Sequence, residues 1–114
     1  MSTVLNKDYG SVDYDNLVIR SGEVGSIQLA AGQGTLERGS VIDGNGKLLS
    51  GTSESAKYIL CDNTETDDDE TTTGIIYKTG VFVRNSLVVA KDYELSDANI
   101  EELRDVGIIV EYAK

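Results

Sequence analysis

The chain contains no histidine, no proline and no tryptophan, and it has a single cysteine. Histidine is the side chain that most often moves protons near neutral pH, so its absence excludes every Ser-His and Cys-His nucleophilic pair. One cysteine, Cys61, allows no internal disulfide and no cysteine-built zinc site within one chain. Asp62 and the acids that follow it disfavour a thiolate, so Cys61 reads as a small strand hydrophobe. Positive charge is also scarce: 10 lysines and arginines against 20 aspartates and glutamates give a formal charge of −10. That charge opposes nucleic acid and anionic membrane alike. No apolar stretch approaches the length needed to cross a bilayer, and no charged amino end leads into an apolar run. These absences predict a soluble protein made in a cytosol-like compartment, with no nucleic-acid and no membrane partner.

At 114 residues the chain suits one domain with a modest core, to which a partner subunit would add buried area. Residues 1–15 are polar with scattered tyrosines and hold no period, so they read as an extended amino-terminal arm before a domain spanning 16–114. Asn16 to Arg20 and Ser26 to Ala30 have the short apolar patterns of strands. "GSVID" and "GKLLS" flank Gly44-Asn45-Gly46, a turn that tolerates positive φ, and so predict a hairpin. Ala56 to Cys61 and Thr73 to Val83 carry the strongest β-propensity. They are expected to form the main sheet, with Gly80 as the bend or turn between two strands. Ser96 as N-cap, Ile100 and Leu103 on one face and Gly107 beyond the last turn predict a helix near Asp97 to Val106. "GIIVEY" then returns as a final strand. The fold class is mainly β (α+β): a small β-rich single domain with one or two short helices.

Three motifs invite chemistry. In "GQGTLERGSVI" the spacing of Gly34 and Gly39 is that of a phosphate-binding loop, but Ser40 stands where the lysine belongs and Val41 where the hydroxyl belongs. No helix-forming stretch follows, so these glycines read as turns between strands. "DNTETDDDE", Asp62 to Glu70, suggests calcium. An EF-hand register beginning at Asp67 puts Thr72 at the obligatory glycine and Lys78 at the bidentate glutamate, so a solvated connector is the better reading. A histidine-free hydrolase would need two carboxylates in different environments, whereas most acids here share one hydrophilic loop. The sequence therefore predicts no catalytic residue, no cofactor and no metal.

The order of "AAGQGTLERGSVI", "YILCDN", "YKTGVFVRNSLVV", a short helix and "GIIVEY" resembles the phage head decoration protein D family of lambda-like capsids. The resemblance spans roughly Ile27 to Val110 and is most specific at Tyr77-Lys78-Thr79-Gly80-Val81-Phe82, which is similar to the family's strand, Lys-(Ser/Thr)-Gly turn and returning strand. The chain departs from the family in its more acidic Asp67 to Glu70 run and in lacking a proline before the last helix. The resemblance implies a homotrimer on the outer surface of the virion capsid, partnered by the major capsid protein, with the arm docking on the shell.

Within that expectation the candidate capsid-binding residues are Tyr9, Val12, Tyr14, Leu17 and Ile19. Tyr9 and Tyr14 lie in the arm where no local core can bury them, and "VDYDNLVIR" has the alternation of a peptide that adds to a sheet edge. Leu17 to Ile19 have a second reading, as the first strand of the domain's own sheet. The alternative function is a small acidic module that uses residues 62–70 to bind calcium or a basic protein.

Overall fold

The computed structural model describes residues 17–51 and 55–111. Its strands are β1 (Val18–Ser21), β2 (Val24–Leu29), β3 (Thr35–Leu36), β4 (Val41–Asp43), β5 (Ala56–Leu60), β6 (Thr64–Glu65), β7 (Thr72–Tyr77), β8 (Gly80–Val83) and β9 (Ile108–Glu111). One helix, α1 (Asp97–Asp105), and a 3-10 turn at Arg84–Ser86 complete the described elements. The domain is small and mainly β, as the propensities predict.

The four-stranded sheet runs β2-β7-β5-β4, the three-stranded sheet β1-β8-β9, and β3 pairs with β6 alone. The two larger sheets are joined through a single ribbon. β1 and β2 run antiparallel to β8 and β7, and one register holds from Arg20 opposite Val81 to Leu29 opposite Thr72. At the junction the Lys78 amide donates to the Glu23 carbonyl at 2.8 Å, and the Glu23 amide donates to the Thr79 hydroxyl at 2.8 Å. The stretch from Thr73 to Val83 therefore does not double back at Gly80. It bends there and exchanges β5 for β9 as its second neighbour. The expectation that these residues form one main sheet is corrected accordingly: β7 lies in one sheet and β8 in the other.

This arrangement explains why "YIL" and "IIY" read as unbroken apolar runs. Ile59 pairs with Tyr77, and both enter a core with Leu17, Phe82, Leu103 and Ile108. Leu60 pairs with Ile76 on the opposite face, where Leu29, Leu36 and Ile42 form a second core. β5 is covered on both faces and so loses the alternation of a half-exposed strand, whereas in β7 Ile76 and Tyr77 are buried and Ile75 stays exposed.

The hairpin expected at Gly44-Asn45-Gly46 forms as a turn. The buried Asp43 carboxylate accepts the amides of Asn45 and Lys47 at 2.8 and 3.0 Å, and Gly46 takes φ 78°. Its returning arm contributes an isolated bridge between Ile42 and Leu48 and no full strand. The path after β8 follows β4: Val88 bridges Ser40, and the Ala90 amide donates to Leu49. Ser96 caps α1 through the Asn99 amide, while the Asn99 side chain accepts the Ser96 amide. Asn99 thus does the work a glutamate or glutamine does in the usual capping box. Gly107, at φ 96°, ends the helix, which serves as the crossover that parallel β8 and β9 require.

Candidate functional site

The root of the arm is where the sequence places its candidate docking residues. Leu17 is only 1% exposed and belongs to the larger core, with its carbonyl accepting the Val83 amide at 2.9 Å. Val18 opposes Phe82, the pairing slips by one residue at Ile19, and Arg20 then opposes Val81. The bulge turns Ile19 outward, 52% exposed, and bends the strand. Two neighbouring aliphatics so have opposite fates. Leu17 is withdrawn from the docking set, because a side chain closed into the core cannot reach a partner without opening the sheet edge. Ile19 is free to touch one. Leu17 to Ile19 thus follow the second of their two readings, the first strand of the domain. Tyr9, Val12 and Tyr14 lie outside the described residues.

The glycine-rich loop is a structural knot. Gly32, Gly34 and Gly39 take φ 77°, 69° and 95°, as tight turns demand. Between the first two, the Gln33 side chain donates to the carbonyls of Ala30 and Gly46, each at 2.9 Å, and accepts the Leu48 amide at 2.9 Å. A phosphate-binding loop holds its anion with free backbone amides. Here the amides of Gly39, Ser40 and Val41 donate to the carbonyls of Leu60, Glu37 and Val88. β4, and no helix, follows.

The acidic connector is more ordered than a solvated loop needs to be. Thr64 and Glu65 form β6 against β3, Thr66 is buried, and its hydroxyl bonds the Gly34 carbonyl at 2.7 Å. One Asp67 carboxylate oxygen accepts the amides of Asp69 and Glu70, each at 3.0 Å, so this acid shapes its own turn. Among the described residues no three carboxylate, histidine or cysteine side chains converge as metal ligands would.

A cluster the sequence reading missed lies between the two motifs. Arg38 donates to the Tyr77 phenol at 2.9 Å and to the Cys61 carbonyl at 2.7 Å. Its guanidinium carbon lies over the Tyr77 ring at 5.7 Å from the centroid, close to the outer limit for a cation–π contact, so the 2.9 Å hydrogen bond is the stronger link. Burial raises the Tyr77 phenol above its ordinary value, and Arg38 opposes that rise. Cys61 is half-buried against the larger core, just beyond the end of β5. No local signal links Arg38 to Tyr77, because they meet only through the pairing of β5 with β7. Comparison with protein-family models and with curated proteins finds no match.

Proposed function

We propose that the chain is a decoration protein of a phage head, which binds the outside of the expanded shell as trimers and cements shell subunits against internal pressure. The observation that carries this reading is the ordered series of segments, spanning roughly Ile27 to Val110, that resembles the head decoration protein D family. Its most specific pieces fall at joints of the fold: Gln33 ties the turn at Gly46 to the end of β2, and Thr79 joins the two sheets.

The mechanics suit such a role. A cement protein needs a stiff body and an arm that cannot be pulled out of it. Leu17 anchors the chain in the core directly before β1, and β1 is held antiparallel to β8. Tension along the arm loads that ladder in shear, so several hydrogen bonds resist together. Docking would involve the arm residues Tyr9, Val12 and Tyr14, with exposed Ile19 at its root. A segment too polar to bury itself loses its ordering entropy on docking and recovers it through backbone bonds to a strand edge.

Electron microscopy of purified heads mixed with the protein tests the reading. Trimeric density at three-fold and quasi-three-fold positions, with greater resistance of the heads to heat, is expected. Heads that stay bare at saturating protein overturn it.

A further inference from the structure

We propose that the outer edge of β2 is a second docking site, which accepts an extended, antiparallel strand from a partner protein whose leading end is basic. The inference stands apart from the arm and does not depend on it.

Ladder geometry sets which groups are free. The Ile75 carbonyl turns toward β5, where it accepts the Cys61 amide at 2.8 Å. Ser26, paired with Ile75, therefore directs its own amide and carbonyl away from the sheet, and Val24 does the same two residues earlier. These outward groups meet no partner among the described residues. Beside them two of the most exposed large aliphatics of the domain are diagonal neighbours on one face: Val24 at 53% and Ile75 at 42%. An added strand would recover the backbone bonds and lay alternate side chains on this pair.

Other edges of the sheets are blunted in the usual ways, and β2 is not. β1 carries a bulge and Arg20, and β9 ends on Glu111. β4 is short and flanked by bridges to Leu48 and Val88. β2 is six residues, VGSIQL, in unbroken register, with no charge, bulge or proline. Its free stretch ends at Gln28, where Gly46 packs over the carbonyl.

Charge selects the occupant. The acidic connector is pinned beside the Gln28 end, through Thr71 to the Gln28 side chain at 3.0 Å and through Gly32 to the Asp67 carbonyl at 2.7 Å. Asp67, Asp68, Asp69 and Glu70 are all exposed there, and Lys47 on the adjoining turn can offset one of them at most. At the other end the Lys78 side chain lies over Gly25, next to Glu23. A second copy adding its own β2 antiparallel would bring Glu23 to these acids, a like-charge pairing that disfavours it at this edge. A strand antiparallel to β2 brings its amino end to the acids, so its cations precede its apolar residues.

The probe is a short peptide of alternating threonine and valine led by a lysine pair, with a glutamate-led peptide as control. Amide exchange by NMR should show Val24 and Ser26 gaining protection with the lysine peptide, and the control should bind about tenfold more weakly. Ser26→Pro removes one outward donor, which an edge strand tolerates. Val24→Lys leaves the backbone intact and charges the edge. Each variant should weaken the lysine peptide about fivefold or more, with unchanged thermal unfolding. Equal binding of the two peptides, or no protection of Ser26, overturns the proposal. Protection of Ser26 that rises with protein concentration alone also overturns it, in favour of a second copy.

Discussion

The Thr79 hydroxyl accepts the Glu23 amide at 2.8 Å, and this contact closes the corner at which both strands of the ribbon leave one sheet for the other. A side-chain oxygen takes the place of a backbone carbonyl, so the ladder can bend without leaving an unbonded amide. Glycines make room for it: a Cβ on Gly22 would overlap the Thr79 hydroxyl, and one on Gly107 would come within 2.9 Å of its methyl group.

Thr79→Val should lower unfolding free energy by about 1 kcal/mol, the loss of one hydrogen bond near the surface, and Thr79→Ser by less. Gly80→Ala should be worse, at about 2 to 4 kcal/mol. Gly80 has φ 143°, and its Cβ would stand 2.8 Å from the Arg20 carbonyl, so strain adds to a clash. Urea denaturation of the three variants gives the order directly.

Gln33→Ala removes three side-chain hydrogen bonds at once and should cost about 2 to 4 kcal/mol. Gln33→Glu should be no better, since a carboxylate oxygen would face the Ala30 and Gly46 carbonyls where an amide now donates. If Gln33→Glu matches the native protein in thermal unfolding, the knot does not hold the turn.

Much of this fold is legible in the sequence, for local reasons. β5, β7 and β9 stand out because their apolar runs are rich in β-branched and aromatic residues, and α1 because Ser96 and Gly107 mark its ends. β3 and β6, with two residues each, are too short to show any period. The division of β7 from β8 was hidden for another reason: which sheet a strand joins is fixed by non-local pairing, and Gly80 marks a bend without revealing its sense. At the candidate site the same limit applies. Leu17 and Ile19 look alike in "NLVIR", and only the bulge in pairing with β8 sends one inward and the other outward.

Tyr77 sets an alkaline limit. Its folded pKa is raised above 10.0, so the neutral phenol is the form the fold favours. The corresponding stability is fully present below the unfolded value and is lost as pH rises through the folded one. Above about pH 10 the native protein should therefore lose stability more steeply with rising pH than Tyr77→Phe, which has no such proton to lose. Parallel slopes in pH-dependent urea denaturation would rule this out.

The acidic turn should take up no structural calcium. Asp67 already accepts two backbone amides through one oxygen, and its neighbours point into solvent. Replacing Asp67, Asp68 and Asp69 by asparagine should leave head binding within about tenfold, because exposed charges contribute of order 1 kcal/mol or less. A micromolar calcium site in calorimetry that disappears in the triple variant would instead favour the acidic-module reading.

The arm and its anchor can be separated by where the chain is cut. Deleting residues 1–15 leaves Leu17 in the core and the pairing of β1 with β8 intact, so unfolding free energy should change by less than about 1 kcal/mol. Leu17→Ala in the full chain removes a buried side chain and should cost about 2 to 5 kcal/mol. Binding to heads should respond in the opposite order: sharply reduced by the truncation, and largely kept by Leu17→Ala at temperatures where that variant is folded. Ile19→Asp adds a third arm, since it charges an exposed position at the root of the arm without touching the core. It should leave stability within about 0.5 kcal/mol and weaken head binding if the contact extends to the bulge. Truncated protein that decorates heads at full occupancy and affinity would move attachment from the arm to the folded domain.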